Sequence, residues 1–371
     1  MTQLTVRARA PSNIAIVKYM GKRDGAANIP ENPSLSLTLN RLCSYVEITC
    51  SDAPGSPDSD EATWAPELPL LWGGYNNLKL RVPSLDEEGM GRFLRHFKRV
   101  RGAAPAILSK YGVPVAAQTV KARSYLIRSG NTFPPSTGIA SSASSFAALT
   151  LATAMTRASD QAAFDRAWNS ETGLRRDLAS LSRQGSGSSC RSFEGPWVGW
   201  EMEHAFKVTA LTPELRHFVL LVSDAAKKIP SSRAHQLVKE SPLWAGRVER
   251  ASARFEQARK ALAEGDITRL ARIAWSETWE MHSLFHTAPE PFSYWRPGSV
   301  EFLQWLAPAI NEPAPAIVSP PVVSMDAGPN AHLIVEAADA DLWRERLIRR
   351  YGAGAFLEDE PGCGAAPLRR C

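Results

Sequence analysis

Residues 133–152, FPPSTGIASSASSFAALTLA, constrain the fold of this chain more than any other stretch. Thr137 and Gly138 suit a tight turn, Ser141 and Ser142 suit a helix cap, and Phe146, Leu149 and Leu151 continue an apolar helical pattern. The spacing predicts a helix over about 141–157. A small-residue loop feeding a helix start aims several backbone N–H groups and the positive end of the helix dipole at one place, which suits phosphate. It is not a Walker A loop, because no GKS or GKT follows the glycine. By itself a Ser-rich cap is more often purely structural.

Strands are predicted by alternation at 4–9 and 43–50, and the Pro-, Ser- and Asp-rich stretch 51–69 reads as an exposed loop. Met90, Phe93, Leu94, Phe97 and Val100 recur at helical spacing within 86–110, while Arg92, Arg95, His96, Lys98, Arg99 and Arg101 supply a basic, solvated face. A strand at 116–123, a turn-rich stretch and a short helix at 173–183 complete the first half. The second half reads as strands at 195–202 and 217–223, helices at 241–264 and 267–286, a Pro-rich break at 312–321, the strand PVVSM and a helix at 339–350. The tail after Glu360 reads as frayed. Strands and helices interleave in an α+β pattern without regular βαβ alternation. A length of 371 residues suits two domains. They are expected over 1–200 and 201–371, with the joint near 195–210.

Composition excludes some classes. With 44% hydrophobic and 22% charged residues the chain is expected to be globular rather than disordered. No apolar run approaches the roughly 20 residues of a membrane helix, and the start lacks the apolar middle of a secretory signal, so a cytoplasmic protein with no membrane partner is expected. Cys43, Cys50, Cys190, Cys363 and Cys371 include no CxxC pair and read as reduced thiols. A net charge of +5 suits anionic partners without distinguishing ATP from RNA. A nucleic-acid-binding module using the helix at 86–110 is the alternative from another class. No nucleic-acid motif accompanies the charge, so no nucleic-acid partner is expected.

Three further segments carry chemistry. In NIAIVKYMGKRD (13–24), Lys18 follows an apolar stretch and belongs near a pocket floor, while Tyr19, Lys22 and Arg23 add a hydroxyl and two cations suited to a multiply charged anion. In RQGSGSSCRS (183–192), the glycines permit close backbone approach to a ligand, Ser186 and Ser188 supply donors, and Arg191 suits a carboxylate. In SMDAGPN (324–330), Asp326 ends an apolar strand, where a carboxylate is either held rigidly or simply forms a turn. His282 and His286 have zinc-pair spacing, but no third ligand is evident and no metal ligand is assigned. There is no GxSxG nucleophile motif.

Taken together, NIAIVKYMGKRD, FPPSTGIASSASSFAAL, RQGSGSSCRS and SMDAGPNAHL, in this order and spacing, resemble the diphosphomevalonate decarboxylase family of the GHMP kinase superfamily. NPSLSLTLN (32–40) and KKIPSSRAHQL (227–237) also fit, and the resemblance runs from about 8 to 350. It implies a two-domain GHMP kinase fold with the active-site cleft between the domains. It also implies use of ATP with Mg2+ and conversion of mevalonate 5-diphosphate to isopentenyl diphosphate, carbon dioxide and phosphate. By motif, Asp326 is similar to the catalytic Asp that faces the 3-hydroxyl, with Lys18 and Arg191 beside it, and it acts as a general base or by orientation and electrostatics. The resemblance further implies that Tyr19, Lys22, Ser186, Ser188 and Arg191 bind substrate. Ser129, Asn131, Gly138, Ser141, Ser142 and Ser231 would hold the nucleotide, and relatives commonly form homodimers. Met20 replaces the family's common Trp, Pro33 interrupts its NSS, and Pro135–Ser136–Thr137–Gly138 replaces its TAAG. Residues 75–95 show no counterpart of the arginine many relatives use on the diphosphate. Decarboxylation of mevalonate 5-phosphate, or 3-phosphorylation alone, are the neighbouring alternatives.

Overall fold

The computed structural model describes residues 3–52, 62–64, 80–81, 85–116, 123–134, 139, 141–170, 173–223, 225, 227–311 and 319–368. In chain order the strands are β1 (Gln3–Val17), β2 (Lys22–Asp24), β3 (Ile29–Pro30), β4 (Ser34–Asp52), β5 (Ala62–Trp64), β6 (Arg123–Asn131), β7 (Trp197–Glu201), β8 (His204–Lys207), β9 (Leu215–Leu220), β10 (Val322–Ser324), β11 (Ala331–Glu336), β12 (Phe356–Asp359) and β13 (Ala366–Leu368). The helices are α1 (Glu87–Lys110), α2 (Ser141–Arg157), α3 (Gln161–Asn169), α4 (Leu174–Arg183), α5 (Ser231–Leu237), α6 (Arg247–Glu264), α7 (Ile267–His286), α8 (Pro297–Asn311) and α9 (Ala340–Tyr351).

The N-terminal sheet runs β13-β1-β4-β6-β5, with β7 joining β4 and β8 joining β7. The C-terminal sheet runs β10-β11-β9-β12. Two long antiparallel strands govern the architecture. Along β1 and β4 the pairing slips between Pro11 and Asn13 and again between Ala15 and Val17. Such slips bend a strand and increase its twist. The first half of β1 (Val6, Ala8, Ala10) packs with Phe97, Leu149 and Leu178 of α1, α2 and α4, whereas its second half (Ile14, Ile16, Val17) packs with Phe255, Leu270 and Ala274 of α6 and α7. One strand pair therefore enters two cores. A third core joins β9, β10 and β11 to α8 and α9 through Phe218, Val323, Leu333, Phe302 and Trp343. This is the mixed, two-domain architecture expected.

Helix α2 spans the predicted residues and is buried on nearly every side. Its Thr150 and Thr153 hydroxyls return to the carbonyls of Phe146 (2.8 Å) and Leu149 (2.7 Å), which lets polar side chains lie in an apolar layer. Helix α1 starts at Asp86, whose Oδ1 accepts from Gly89 N at 2.7 Å. His96 departs from the expected basic face. It is buried, it bonds Thr150 Oγ1 at 2.9 Å, and burial pushes its pKa down to about 3.

Several expectations are corrected. The stretch after 123 is not a turn but strand β6, antiparallel to β4 over nine residues, while most of the strand expected at 116–123 lies outside the described residues. Within the expected loop 51–69, β5 pairs parallel to β6. Helices α3, α5 and α8 add to those predicted. The tail is ordered over 361–368, where β13 pairs with Arg7–Arg9 of β1 and Pro361 bridges Leu39, and residues 369–371 lie outside the described residues. Cys43, Cys190 and Cys363 are free thiols.

Asp359 fastens that return of the chain. Buried at the end of β12, it accepts from the backbone N–H groups of Asn40 (3.3 Å), Arg41 (2.8 Å), Leu42 (2.8 Å) and Glu360 (2.8 Å). Asp359→Ala strands these donors and is expected to cost about 3 kcal/mol of stability, measured as a lower urea midpoint with an unchanged slope.

Candidate active site

A cleft of about 490 Å3 opens where β1 leaves the N-terminal sheet, lined by Lys18, Tyr19, Lys22, Ser141, Ser142, Ser186, Ser188, Arg191, Ser231 and Asp326 among others. Lys18 is the residue immediately after β1, so the apolar strand carries it into the interior, where it is 1% exposed. Its Nζ donates to Asp326 Oδ1 at 2.7 Å and to Ser324 Oγ at 2.6 Å. Ser324 ends β10, and its hydroxyl donates to Ala15 O at 2.5 Å, tying the two sheets together. Burial draws the Lys18 ammonium below the usual lysine range, and the Asp326 carboxylate opposes that fall.

Arg191 approaches from the 3-10 turn Gly187–Ser192. It is buried, with Nε on Asn13 Oδ1 (3.2 Å), Nη1 on Ser34 Oγ (2.8 Å), and the guanidinium 5.5 Å from the centre of the Trp200 ring. Its two hydrogen-bond partners are neutral; burial draws the guanidinium below the usual arginine range, and the Asp326 carboxylate is among the groups opposing that fall. Tyr19 packs between Trp200 and His235, with ring centres 4.5 and 4.4 Å away, and its hydroxyl is buried without a hydrogen-bond partner among the described residues. Lys22 Nζ donates to Asn28 Oδ1 at 2.7 Å. The glycines of the 183–192 segment have an additional cause, since a Cβ on Gly187 would lie 2.8 Å from the Tyr19 ring.

The residues expected to hold the nucleotide divide into two groups. Ser141 and Ser142 open α2 at the cleft, and Ser231 opens α5 there. Ser129 and Asn131 do not line the cleft but are buried in β6. Asn131 reaches the helix start indirectly, because Ser44 Oγ donates to its Oδ1 (2.7 Å) and also meets Ser144 Oγ (2.7 Å). Gly138 lies outside the described residues. Among the described residues no His, Cys, Asp or Glu cluster forms a metal cage, and the carboxylates lining the cleft are Asp86 and Asp326. That donor set suits Mg2+ carried on phosphate oxygens, the usual habit of this ion.

Sequence reasoning missed Arg92, Lys227 and His235, which also line the cleft. Arg92 comes from the basic face of α1, inside the stretch 75–95. His235 Nδ1 accepts from Gly21 N at 3.0 Å, which puts its ring proton on Nε2. His282, read with His286 as a zinc-spaced pair, is buried against Trp295 with ring centres 4.7 Å apart, and His286 meets Ser293 Oγ at 3.2 Å.

Comparison with known proteins accords with this geometry. The profile of the diphosphomevalonate decarboxylase-like N-terminal domain matches residues 10–64 and 75–211, and that of the mevalonate 5-diphosphate decarboxylase C-terminal domain matches 217–359. The diphosphomevalonate decarboxylases of Saccharomyces cerevisiae and Candida albicans are 31% and 30% identical, over 95% and 92% of this chain and 83% and 87% of theirs. A mevalonate diphosphate decarboxylase structure from Legionella pneumophila is 34% identical, with a TM-score of 0.73, covering 96% of this chain and 100% of that one. A structure of MDDEF in complex with MVAPP, AMPPCP and magnesium is 25% identical, with a TM-score of 0.75, covering 99% of this chain and 100% of its own.

The buried histidines around the cleft have a pH consequence. Burial, foremost, pushes His235, His282 and His332 down to about 3. They are neutral in the fold, whereas an unfolded chain protonates them near 6.5, so their contribution is complete above 6.5 and is lost as pH falls toward 3. The urea midpoint is expected to fall between pH 7 and pH 5, and His282→Phe should make that fall shallower by up to about 1.4 kcal/mol per pH unit.

Proposed function

The chain belongs to the diphosphomevalonate decarboxylase family, and from that premise we propose that it converts mevalonate 5-diphosphate and ATP to isopentenyl diphosphate, ADP, phosphate and carbon dioxide. The observation that carries this reading is the 2.7 Å contact between Lys18 and Asp326 at the floor of a cleft whose walls hold Arg191 and the first turn of α2. Mg2+ supplies charge neutralisation on the nucleotide phosphates.

Ser141, Ser142 and the N–H groups of the first turn of α2 hold nucleotide phosphate, with Ser231, which lines the same cleft, beside the nucleotide. Asn131 keeps that turn in place through Ser44, and Ser129 and Gly138 belong to the same nucleotide side. Lys22, Tyr19, Ser186, Ser188 and Arg92 take the substrate diphosphate, a multiply charged anion matched by clustered cations and hydroxyls.

Asp326 accepts the hydrogen bond of the tertiary 3-hydroxyl on the carboxylate oxygen that Lys18 leaves available, and so aims the hydroxyl oxygen at phosphorus. Asp326 stands beside the Lys18 ammonium, with its carboxylate 2.7 Å from Nζ. It receives the proton late, as the O–P bond forms, which suits a loose phosphoryl-transfer transition state. Phosphorylation turns a poor leaving group into a good one. Phosphate departs with the C3–O electron pair, positive charge develops at C3, and the C1–C2 bond electrons form the C2=C3 double bond as carbon dioxide leaves. Arg191 orients the departing carboxylate through a guanidinium already held by Asn13 and Ser34. The division into domains near residue 200, a cytoplasmic location and a homodimeric state belong to the same proposal.

Purified protein is to be incubated with ATP and mevalonate, its 5-phosphate or its 5-diphosphate while ADP, phosphate and carbon dioxide are measured. Stoichiometric release of all three with the diphosphate is expected, and ADP without carbon dioxide would exclude the reading. Asp326→Ala should lower kcat by about a thousandfold or more with little change in ATP binding, as expected for a group acting on the transition state.

A further inference from the structure

Glu277 lies in the middle of α7 with 0% exposure. A buried carboxylate needs charged partners, and it has them. Arg247, also 0% exposed, grips both of its oxygens, and Arg254 Nη1 adds a bond to Oε2 at 2.9 Å. These two guanidiniums satisfy its charge, yet Oε1 also accepts the backbone N–H of Lys18 at 2.9 Å. Lys18 stands just past the last β1–β4 pair, Val17 with Leu35, where its N–H has lost a strand partner. Its carbonyl is held as well, by Asn32 Nδ2 at 2.9 Å.

We propose that Glu277 is a positioning residue for the decarboxylase reaction, fixing the Lys18 backbone from α7 so that the ammonium meets Asp326 and Ser324, and adding a second negative charge on the far side of that lysine. The inference rests on the reading of Lys18 and Asp326 as reaction-centre groups. With N–H, C=O and Nζ each anchored to a different element, the lysine has one available placement. Reaction geometry is sensitive to displacements of about 1 Å.

The electrostatic part follows from what faces Lys18. Asp326 and then Glu277 favour its charge, Arg191 opposes it, and His282 and His332 beside it are neutral. Around Glu277 stand Arg247 and Arg254, with Glu280 bonded to both and to Arg250. Removing the Glu277 charge lowers the pH at which Lys18 deprotonates.

Two variants separate positioning from simple neutralisation of Arg247. Glu277→Gln keeps an acceptor for the Lys18 N–H and discards the charge. Its alkaline limb in the kcat profile is expected to move down by about one pH unit, the scale of one nearby charge. The paired variant Glu277→Leu with Arg247→Met removes both charges and the acceptor, a replacement that buried pairs commonly tolerate. It should melt close to the parent and keep its ATP KM within about threefold, while kcat falls about a hundredfold, the scale of a small misplacement.

Near-parental kcat in the folded pair, or an unmoved alkaline limb in Glu277→Gln, would overturn the proposal. If the pair does not fold, the Glu277→Gln limb decides alone. The same shift is read without turnover from the 13Cε resonance of Lys18, assigned by its loss in Lys18→Arg. An inactive parent protein would instead sink the proposed activity, and the resonance would still judge the electrostatic effect of Glu277.

Discussion

The ion pair between Lys18 and Asp326 is the interaction on which the rest of the site depends. An ammonium with 1% exposure is strongly disfavoured unless an anion meets it, and here the anion comes from 308 residues further along the chain. The pair exists only when both sheets are folded and docked. Ser324 strengthens the coupling, since its Oγ accepts a hydrogen bond from Lys18 Nζ and donates one to Ala15 O. A chain in which either sheet folded alone would carry an unpaired buried charge, so the chemistry and the docking of the two halves are one constraint.

That constraint explains the length and bend of β1 and β4. The first half of β1 and the second half of β4 complete the N-terminal core, the second half of β1 and the first half of β4 pack under α6 and α7, and the pairing slip between Pro11 and Asn13 separates the two. The bend carries the strand end across the boundary and delivers Lys18 to the cleft floor. Arg191, on its short turn, is held by Asn13 from β1 and Ser34 from β4. Its guanidinium is thus presented by the same strand pair that presents the lysine.

Legibility in the sequence followed local periodicity. Helices α1, α2 and α7 were readable because their apolar spacing and terminal residues agree, and the cation-rich, glycine–serine and Asp326 segments were readable because several chemical types crowd into a few positions. Strand β6 was hidden because RSYLIRSGN ends in turn-forming residues, although Tyr125 and Ile127 face the core. The tail was hidden for the opposite reason. Its composition favours disorder, and only the edge of β1 and the Asp359 carboxylate give it a place. His96 counted as part of a basic face because spacing alone cannot tell which polar position on a helix meets a neighbouring helix.

Residue identity and local pattern determined which groups this protein offers to the proposed reaction: a lysine after an apolar strand, an arginine in a serine–glycine turn, an aspartate at a strand end and a serine-capped helix. Those are properties of short segments, where side-chain type and backbone preference act within a few residues. Tertiary structure alone decided that Lys18 meets Asp326 and Ser324, that Arg92, Lys227 and His235 share their cleft, and that Ser129 and Asn131 stand behind its wall. It also decided that a glutamate in α7, unremarkable by local pattern, holds the lysine backbone. Such contacts depend on burial and on strand register, which are set by the packing of segments hundreds of residues apart.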